Sequence, residues 1–330
     1  LPKERIQLRK ITPLALIPIL LLAGCSAAPA AEPGSYAAMS AGSEAACETY
    51  QGGDAVDQID VEGAFGEEPT ATFPTPITGT GIETKVISAG TGGKIVGNQR
   101  VALHFTGYNG TTGEQFQGSE FGTENYIIQD LLVGSLPNFC NALTGVEVGS
   151  RVAVLLDAEN AHQSQGVESL GIGANDAIIF IFDVVDAYLQ RASGEAKSPE
   201  AGLPTVILAP NGQPGIQIPV GDAPSEFKRS VLIEGAGEEI AIGDTVVVHY
   251  SGWTWEGEQF DSSWETLAPA SFQVSAESVI QGFVQSLEGV KVGSQVVAVI
   301  PPELGYGDQA QGSIPAGSTL IFVIDVLGKE

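Results

Sequence analysis

Basic residues are scarce in this chain: 14 lysines and arginines stand against 40 aspartates and glutamates, for a formal net charge of −26. Lys3, Arg5, Arg9 and Lys10 crowd into the first ten positions beside a single acid, Glu4, so the remainder is more acidic still. A surface of that sign repels phosphate backbones and acidic lipid headgroups. Nucleic acid is thereby excluded as a partner, and the charge reads as a solubilising coat. Histidine is nearly absent, with three scattered residues and only three cysteines. No metal-ligand spacing results, so neither a metal nor a cofactor is expected. Long apolar runs are missing too. The one candidate, Ile11 to Ala23, is broken by Pro13 and Pro18. It falls short of the about 20 residues that a membrane-spanning helix needs.

That run reads instead as the core of a secretory leader, because basic residues precede it and Leu22-Ala23-Gly24-Cys25 follows at once. A cysteine directly after Leu-Ala-Gly resembles a bacterial lipobox. The resemblance implies that residues 1–24 are a lipoprotein signal peptide and that Cys25 carries a diacylglycerol. The chain would then sit on the extracytoplasmic face of the cell membrane, touching it only through two acyl chains, which suffice for stable anchoring. Residues 25–50, rich in Ala, Ser, Gly, Pro and Glu, read as a flexible stalk and favour a monomer. Cys47 and Cys140 remain. An even pair outside the cell is compatible with a disulfide joining the stalk to the first domain, and equally with two separate thiols.

What the sequence has in quantity is glycine, 42 residues, together with 43% hydrophobic and 16% charged residues, a composition that packs rather than one that stays disordered. The glycines punctuate a long internal repeat. Gly243–Tyr250 (GDTVVVHY) answers Gly97–Phe105 (GNQRVALHF), and Gly257-Glu258-Gln259-Phe260 answers Gly113-Glu114-Gln115-Phe116. Leu287–Ser294 answers Leu143–Ser150, and the closing Leu320–Val326 answers Ile178–Val184. Upstream, Glu68–Pro74 and Gly215–Pro219 look like matching extra strands. The organisation read from this is a first domain over 51–190, a polar linker over 191–204 and a second domain over 205–330.

Within each unit, short Val/Ile/Phe runs bounded by Gly, Pro and Asp predict strands. One helix interrupts them. In the second unit it is expected from Ser278 as N-cap, with Val279, Ile280, Phe283 and Leu287 on one face. Its partner is expected from Ser135, with Leu136, Phe139 and Leu143 in the same places and Pro137 in the first turn. A short helix laid across a twisted antiparallel sheet is an α+β arrangement.

The second unit carries several motifs in order: His249-Tyr250-Ser251-Gly252, Phe260-Asp261-Ser262-Ser263, Val279-Ile280-Gln281-Gly282-Phe283, Pro301-Pro302-Glu303-Leu304-Gly305-Tyr306-Gly307, and Ile314–Phe322. Together they resemble the FKBP-type peptidyl-prolyl cis/trans isomerases over nearly the whole unit. The resemblance implies two tandem domains, each a twisted antiparallel β half-barrel of five or six strands wrapped around one short helix. In the second, Tyr250, Phe260, Phe283 and Phe322 would wall a pocket for a proline ring, with Phe283 as its floor. Val279, Phe272 and Ile314 would add apolar surface. The Ile280 N–H and the Tyr306 hydroxyl would each bind a substrate carbonyl, and Asp261 would orient groups beside the pocket. His249 and His104 read as strand residues rather than catalysts.

The partners implied are proline-containing segments of unfolded or secreted proteins, and macrolide inhibitors. Two departures touch preference and inhibitor affinity: the family commonly has Trp where Phe283 stands and an aromatic where Ala270 stands. The first unit departs further, with Phe105 for the tyrosine, Gln117 for the aspartate and His162 near the place of Tyr306. Phe116, Leu136, Phe139, Ile172 and Phe180 keep its apolar lining. The expected function is an isomerase assisting extracytoplasmic folding, with turnover in the second unit. The competing reading is a surface-anchored chaperone or binding module that holds proline-containing segments without turnover.

Overall fold

The structure is a computed structural model and describes residues 47–50, 52–122 and 126–330. The leader, Cys25 and most of the expected stalk lie outside the described residues. The fold is mostly sheet with few helices. In the first repeat a hairpin of β1 (Asp60–Glu62) and β2 (Thr70–Thr72) precedes an antiparallel sheet. That sheet comprises β3 (Ile82–Ser88), β4 (Gln99–Asn109), β5 (Gln115–Gly118), β6 (Ile127–Leu131), β7 (Arg151–Leu156) and β8 (Ile178–Ala187). Its order is β3-β7-β8-β4-β5, with β6 also paired to β4. Two helices, α1 (Phe139–Leu143) and α2 (Ala158–His162), flank β7 in sequence.

The second repeat builds the same plan. β9 (Glu195–Ala196) comes first, then a hairpin of β10 (Thr205–Leu208) and β11 (Pro214–Gln217). The sheet proper holds β12 (Lys228–Glu234), β13 (Thr245–Thr254), β14 (Gln259–Ser262), β15 (Ala270–Gln273), β16 (Gln295–Ile300) and β17 (Leu320–Lys329), with α3 (Gln281–Leu287) between β15 and β16. The order is β14-β13-β17-β16-β12-β9, with β15 paired to β13. Register is conserved between the sheets: His249 lies opposite Asp325 and Gly252 opposite Phe322, as His104 lies opposite Asp183 and Gly107 opposite Phe180.

The closing strands open with the apolar runs Leu320–Ile324 and Ile178–Phe182 because both of their faces are covered, and successive side chains point to opposite faces. Along β17, Leu320, Phe322, Ile324 and Val326 turn inward to the core under α3, while Ile321 and Val323 turn outward onto Ile216, Ile218 and Trp253 beneath the β10–β11 hairpin. Along β8, Phe180, Phe182 and Val184 turn inward, while Ile179 and Ile181 turn outward onto Val56, Ile59 and Tyr108. The upstream segments read as extra strands are therefore the hairpin lids of the two outer faces.

Three local expectations need correction. Helix α3 starts at Gln281, not after Ser278, because Ser275–Val279 closes its own turn: the Ser278 and Val279 amides both donate to the Ser275 carbonyl. Ser278 does not cap; Ile280 holds the cap position with an extended ψ of 147° and no side-chain cap. Likewise α1 starts at Phe139, capped by the Asn138 side chain, so Leu136 and Pro137 precede the helix. Finally, the polar segment 191–204 is not free-standing. Its β9 pairs with the open edge of β12, where Lys197 bridges Glu195 and Glu234. A seventh strand is thereby added, and one edge of unpaired backbone groups is shortened. At the start of the described residues, Cys47 and Cys140 form a disulfide. No helix among the described residues is long and apolar enough to cross a membrane.

Candidate active site

Aromatic side chains on four inward strands converge with the helix start in the second repeat. β13 supplies Tyr250, β14 Phe260, β15 Phe272 and β17 Phe322, and the first turn of α3 supplies Phe283. Phe283 meets Phe322 at 5.3 Å and 83°, Phe272 at 5.4 Å and Tyr250 at 6.2 Å between ring centroids. Phe260 stands edge-on to Phe322 at 5.5 Å. Such edge-to-face contacts match the positive rim of one ring to the negative face of the next. The rings do not close on one another. They enclose an open cavity of about 460 Å³, also lined by Asp261, Val279, Ile280 and Tyr306.

Two glycines make room for this arrangement. A Cβ on Gly252 would lie 2.6 Å from Phe260 Cζ, so the ring can cross the strand only where no side chain exists. A Cβ on Gly282 would lie 2.2 Å from Ile300 Cγ2, and its absence lets α3 settle on β16 and bury Phe283 as the cavity floor.

The polar groups sit at the rim. The Tyr250 hydroxyl donates to Asp261 Oδ2 in a short hydrogen bond, and burial, then that bond, pushes the phenol well above its ordinary range. The Tyr250 phenol therefore remains a neutral donor near neutral pH. Tyr306, 36% exposed, presents its ring at the mouth. The Ile280 carbonyl accepts from the Phe283 and Val284 amides, whereas its own N–H has no acceptor among the described residues. That N–H is an orphan donor of a helix start, beside the cavity. His249 lies behind the site: its Nδ1 is 2.8 Å from Ser263 Oγ and its ring stacks on Trp264 at 4.3 Å. Burial lowers its pKa to about 3, so it stays neutral.

Residues 237–327 match the family model described as FKBP-type peptidyl-prolyl cis-trans isomerase. An FK506-binding protein of Streptomyces anulatus is 40% identical over 118 residues, 35% of this chain and 95% of that protein. The chain belongs to the FKBP-type peptidyl-prolyl cis-trans isomerase family. A probable FK506-binding protein of Corynebacterium glutamicum is also 40% identical, over 116 residues that cover 35% of this chain and 97% of the relative. A probable FKBP-type peptidyl-prolyl cis-trans isomerase of Haemophilus influenzae is 49% identical over 94 residues, 28% of this chain and 38% of that one.

Of the FKBP-type site residues expected from sequence, Tyr250, Phe260, Asp261, Phe272, Val279, Ile280, Phe283, Tyr306 and Phe322 line this one cavity. Ile314 does not; it is buried in the adjoining core, paired across a tight bridge with Gln311. Sequence reasoning passed over Ala276, Glu277 and Ser278, which form the lip ahead of Ile280. Their signal was their place in a polar turn leading into the helix.

The first repeat has a counterpart cavity of about 560 Å³, in which Phe105, Phe116, Leu136, Phe139, Ile172 and Phe180 all take part. Gly107 repeats the Gly252 device, with a Cβ position 2.6 Å from Phe116 Cζ. The lining gains Phe182, stacked on Phe180 at 5.3 Å, where the second repeat has Ile324. The polar fixings differ: Phe105 has no hydroxyl, Gln117 and Gln129 line the wall in place of a carboxylate, and both ring nitrogens of His162 are consumed. Its Nε2 donates to the Asp176 carbonyl at 3.0 Å and its Nδ1 accepts from the Gly166 amide at 3.0 Å.

Proposed function

We propose that turnover resides in the second repeat, which accelerates rotation about X-Pro bonds without forming a covalent intermediate. The barrier to that rotation is about 18–20 kcal/mol because the planar amide is resonance-stabilised. Uncatalysed exchange takes on the order of tens to hundreds of seconds. Twisting the bond removes resonance and much of the charge separation between oxygen and nitrogen. An aromatic cavity lined by Tyr250, Phe260, Phe272, Phe283 and Phe322 therefore favours the twisted state over the planar one. The proline ring fills the aromatic floor, the Ile280 N–H takes one substrate carbonyl, and the Tyr306 hydroxyl takes another. Asp261 holds the Tyr250 hydroxyl so that its ring stays in the wall. The observation that carries this reading is the open aromatic cavity with a free backbone donor at its edge.

In the same reading each repeat is an FKBP-type half-barrel around a short helix, and the first is degenerate at its site. The enzyme is anchored through a lipid on Cys25 outside the cell, as a monomer. It acts on proline-containing segments of secreted proteins, where slow prolyl exchange limits folding. Macrolide inhibitors are expected to reach the same cavity.

A second reading has one observation in its favour: the first cavity keeps its aromatic lining while Phe105, Gln117 and His162 stand where the second has Tyr250, Asp261 and Tyr306. On that view the chain holds clients rather than turning them over. A protease-free proline-isomerisation assay on residues 47–330, with Tyr306→Phe and Phe283→Leu scored for both turnover and suppression of aggregation, separates the two. Loss of turnover with aggregation suppression retained supports the isomerase. Absence of turnover in the wild-type chain overturns it.

A further inference from the structure

The wall strand of the second cavity is gripped from outside by a residue of the first repeat. β15 is four residues long and hydrogen-bonds only to β13 among the described strands. Its side chains alternate: Phe272 turns into the cavity against Tyr250 and Phe283, and Ser271 turns away. On that outer side stands Arg100 of β4. Its Nη1 donates to Ser271 Oγ at 2.5 Å and its Nη2 to the Pro269 carbonyl at 2.8 Å. Ser271 Oγ in turn donates to Glu330 Oε1 at 2.8 Å, and that carboxylate lies 3.6 Å from Arg100 Nη1. Asp130 of β6 takes Nε at 2.7 Å and Nη2 at 3.0 Å, fixing the fork's orientation from within the first repeat.

A second contact lies on the same outer face. Tyr188, at the end of the first repeat, lies over Gly328, where a Cβ would come within 2.3 Å of Tyr188 Cδ1. It packs with Val247, Leu327 and Leu189 in a small buried cluster. Val247 is opposite both Ser271 and Gly328 in register. The contact therefore runs along the backs of β15, β13 and β17, whose fronts carry Phe272, Tyr250 and Phe322.

We propose that Arg100 is a positioning residue for the prolyl cavity, through which the first repeat braces the β15 wall and so completes the site of the second. This gives the degenerate repeat a role that needs no turnover of its own, and it rests on the cavity being the proline site. Without Arg100, β15 keeps its ladder with β13 and the Ser271–Glu330 hydrogen bond but loses both guanidinium contacts, and Phe272 samples positions that widen the cavity. Substrate binding then suffers more than the rotation step.

The test uses the two-repeat chain, a leucyl-prolyl tetrapeptide for KM and kcat, and calorimetric Kd for the same peptide. Arg100→Ala is expected to raise KM and Kd about three- to tenfold with kcat within about twofold of wild type. Arg100→Lys recovers part of the loss, since one ammonium reaches Ser271 or Pro269 but cannot fork between them. In a Phe272→Leu background, Arg100→Ala adds nothing further. Wild-type values in Arg100→Ala, or its full effect persisting beside Phe272→Leu, overturn the proposal. Should Arg100→Ala fail to fold, Ser271→Ala leaves the Arg100–Asp130 pair intact; a smaller rise in Kd is expected there, and an unchanged Kd refutes the brace. A wild-type chain that binds the peptide without turning it over defeats the proposed function alone, because the Kd comparison stands apart from it.

Discussion

Replacing Asp325 with asparagine probes how the two repeats solved one burial problem in two ways. In the first repeat Asp183 and Arg151 form a buried bidentate pair at 2.6 and 2.8 Å, and Arg151 also donates to the Gly63 and Glu67 carbonyls beside the β1–β2 hairpin. In the second, Gln295 stands where Arg151 would be, and Asp325 is left with neutral donors: Gln295 Nε2 at 2.7 Å and the Ala192 amide at 2.8 Å. Burial raises its pKa from 3.8 to about 6, against the opposing pull of those two bonds.

Because the folded value lies above the unfolded one, the folded chain keeps a proton that the unfolded chain has already released. The stability this confers is complete below the unfolded pKa of 3.8 and is lost as pH rises through about 6. With roughly 1.4 kcal/mol per pH unit, the loss is about 3 kcal/mol. Asparagine does not titrate, and it can accept from Ala192 while donating to the amide oxygen of Gln295. Urea unfolding of wild type and Asp325→Asn at pH 4, 5, 6 and 7 measures the difference, and the comparison cancels every other titrating group, His249 included. The variant should gain on wild type by about 2.4 kcal/mol between pH 4 and pH 7, since the unfolded carboxyl is already more than half ionised at pH 4. A difference that does not change with pH would refute the argument from burial.

Other consequences can be checked on the same chain. Proline isomerisation should be independent of pH between about 6 and 9, because Tyr250 is held neutral by burial and His249 titrates only near 3; a bell-shaped rate profile in that range contradicts a mechanism without proton transfer. Gly252→Ala should drive Phe260 from its place, lowering kcat/KM more than about tenfold at a stability cost of about 1–3 kcal/mol; a variant as active as wild type means the ring can move without consequence. Replacing Cys47 and Cys140 by serine removes a link across 93 residues and should destabilise the first repeat by about 4 kcal/mol in chemical denaturation. Turnover should persist in that variant at temperatures below its first transition, and loss of turnover while both repeats remain folded would contradict the assignment to the second.

Features written in local sequence were legible before any coordinates. The duplicated glycine-bounded strands gave the repeat, including the match of Leu320–Val326 to Ile178–Val184. The aromatic motif residues fell into one cavity because each is fixed to a strand whose register is set by the core. The misses have physical causes. Ser278 resembles an N-cap, yet Ser275 competes for its backbone and wins by closing a turn. Ile314 carries the motif's apolar character but is drawn into the core by the Gln311 bridge. The β9 edge strand, the Tyr188 wedge over Gly328 and the Arg100 grip on β15 depend on contacts between distant segments, which no local pattern encodes. Gln295 in place of Arg151 was visible as a letter, but its meaning required knowing that Asp325 is buried behind it.

The central claim places turnover in the cavity of the second repeat, and matched ablations in the intact two-repeat chain address it most directly. Phe283→Ala empties the floor of the second cavity, and Phe139→Ala empties the equivalent floor of the first. Measured by protease-free prolyl isomerisation with folding checked by circular dichroism, Phe283→Ala should lower kcat/KM by about a hundredfold or more, while Phe139→Ala stays within about twofold of wild type. A chain that keeps its rate without Phe283, or loses it without Phe139, contradicts the account.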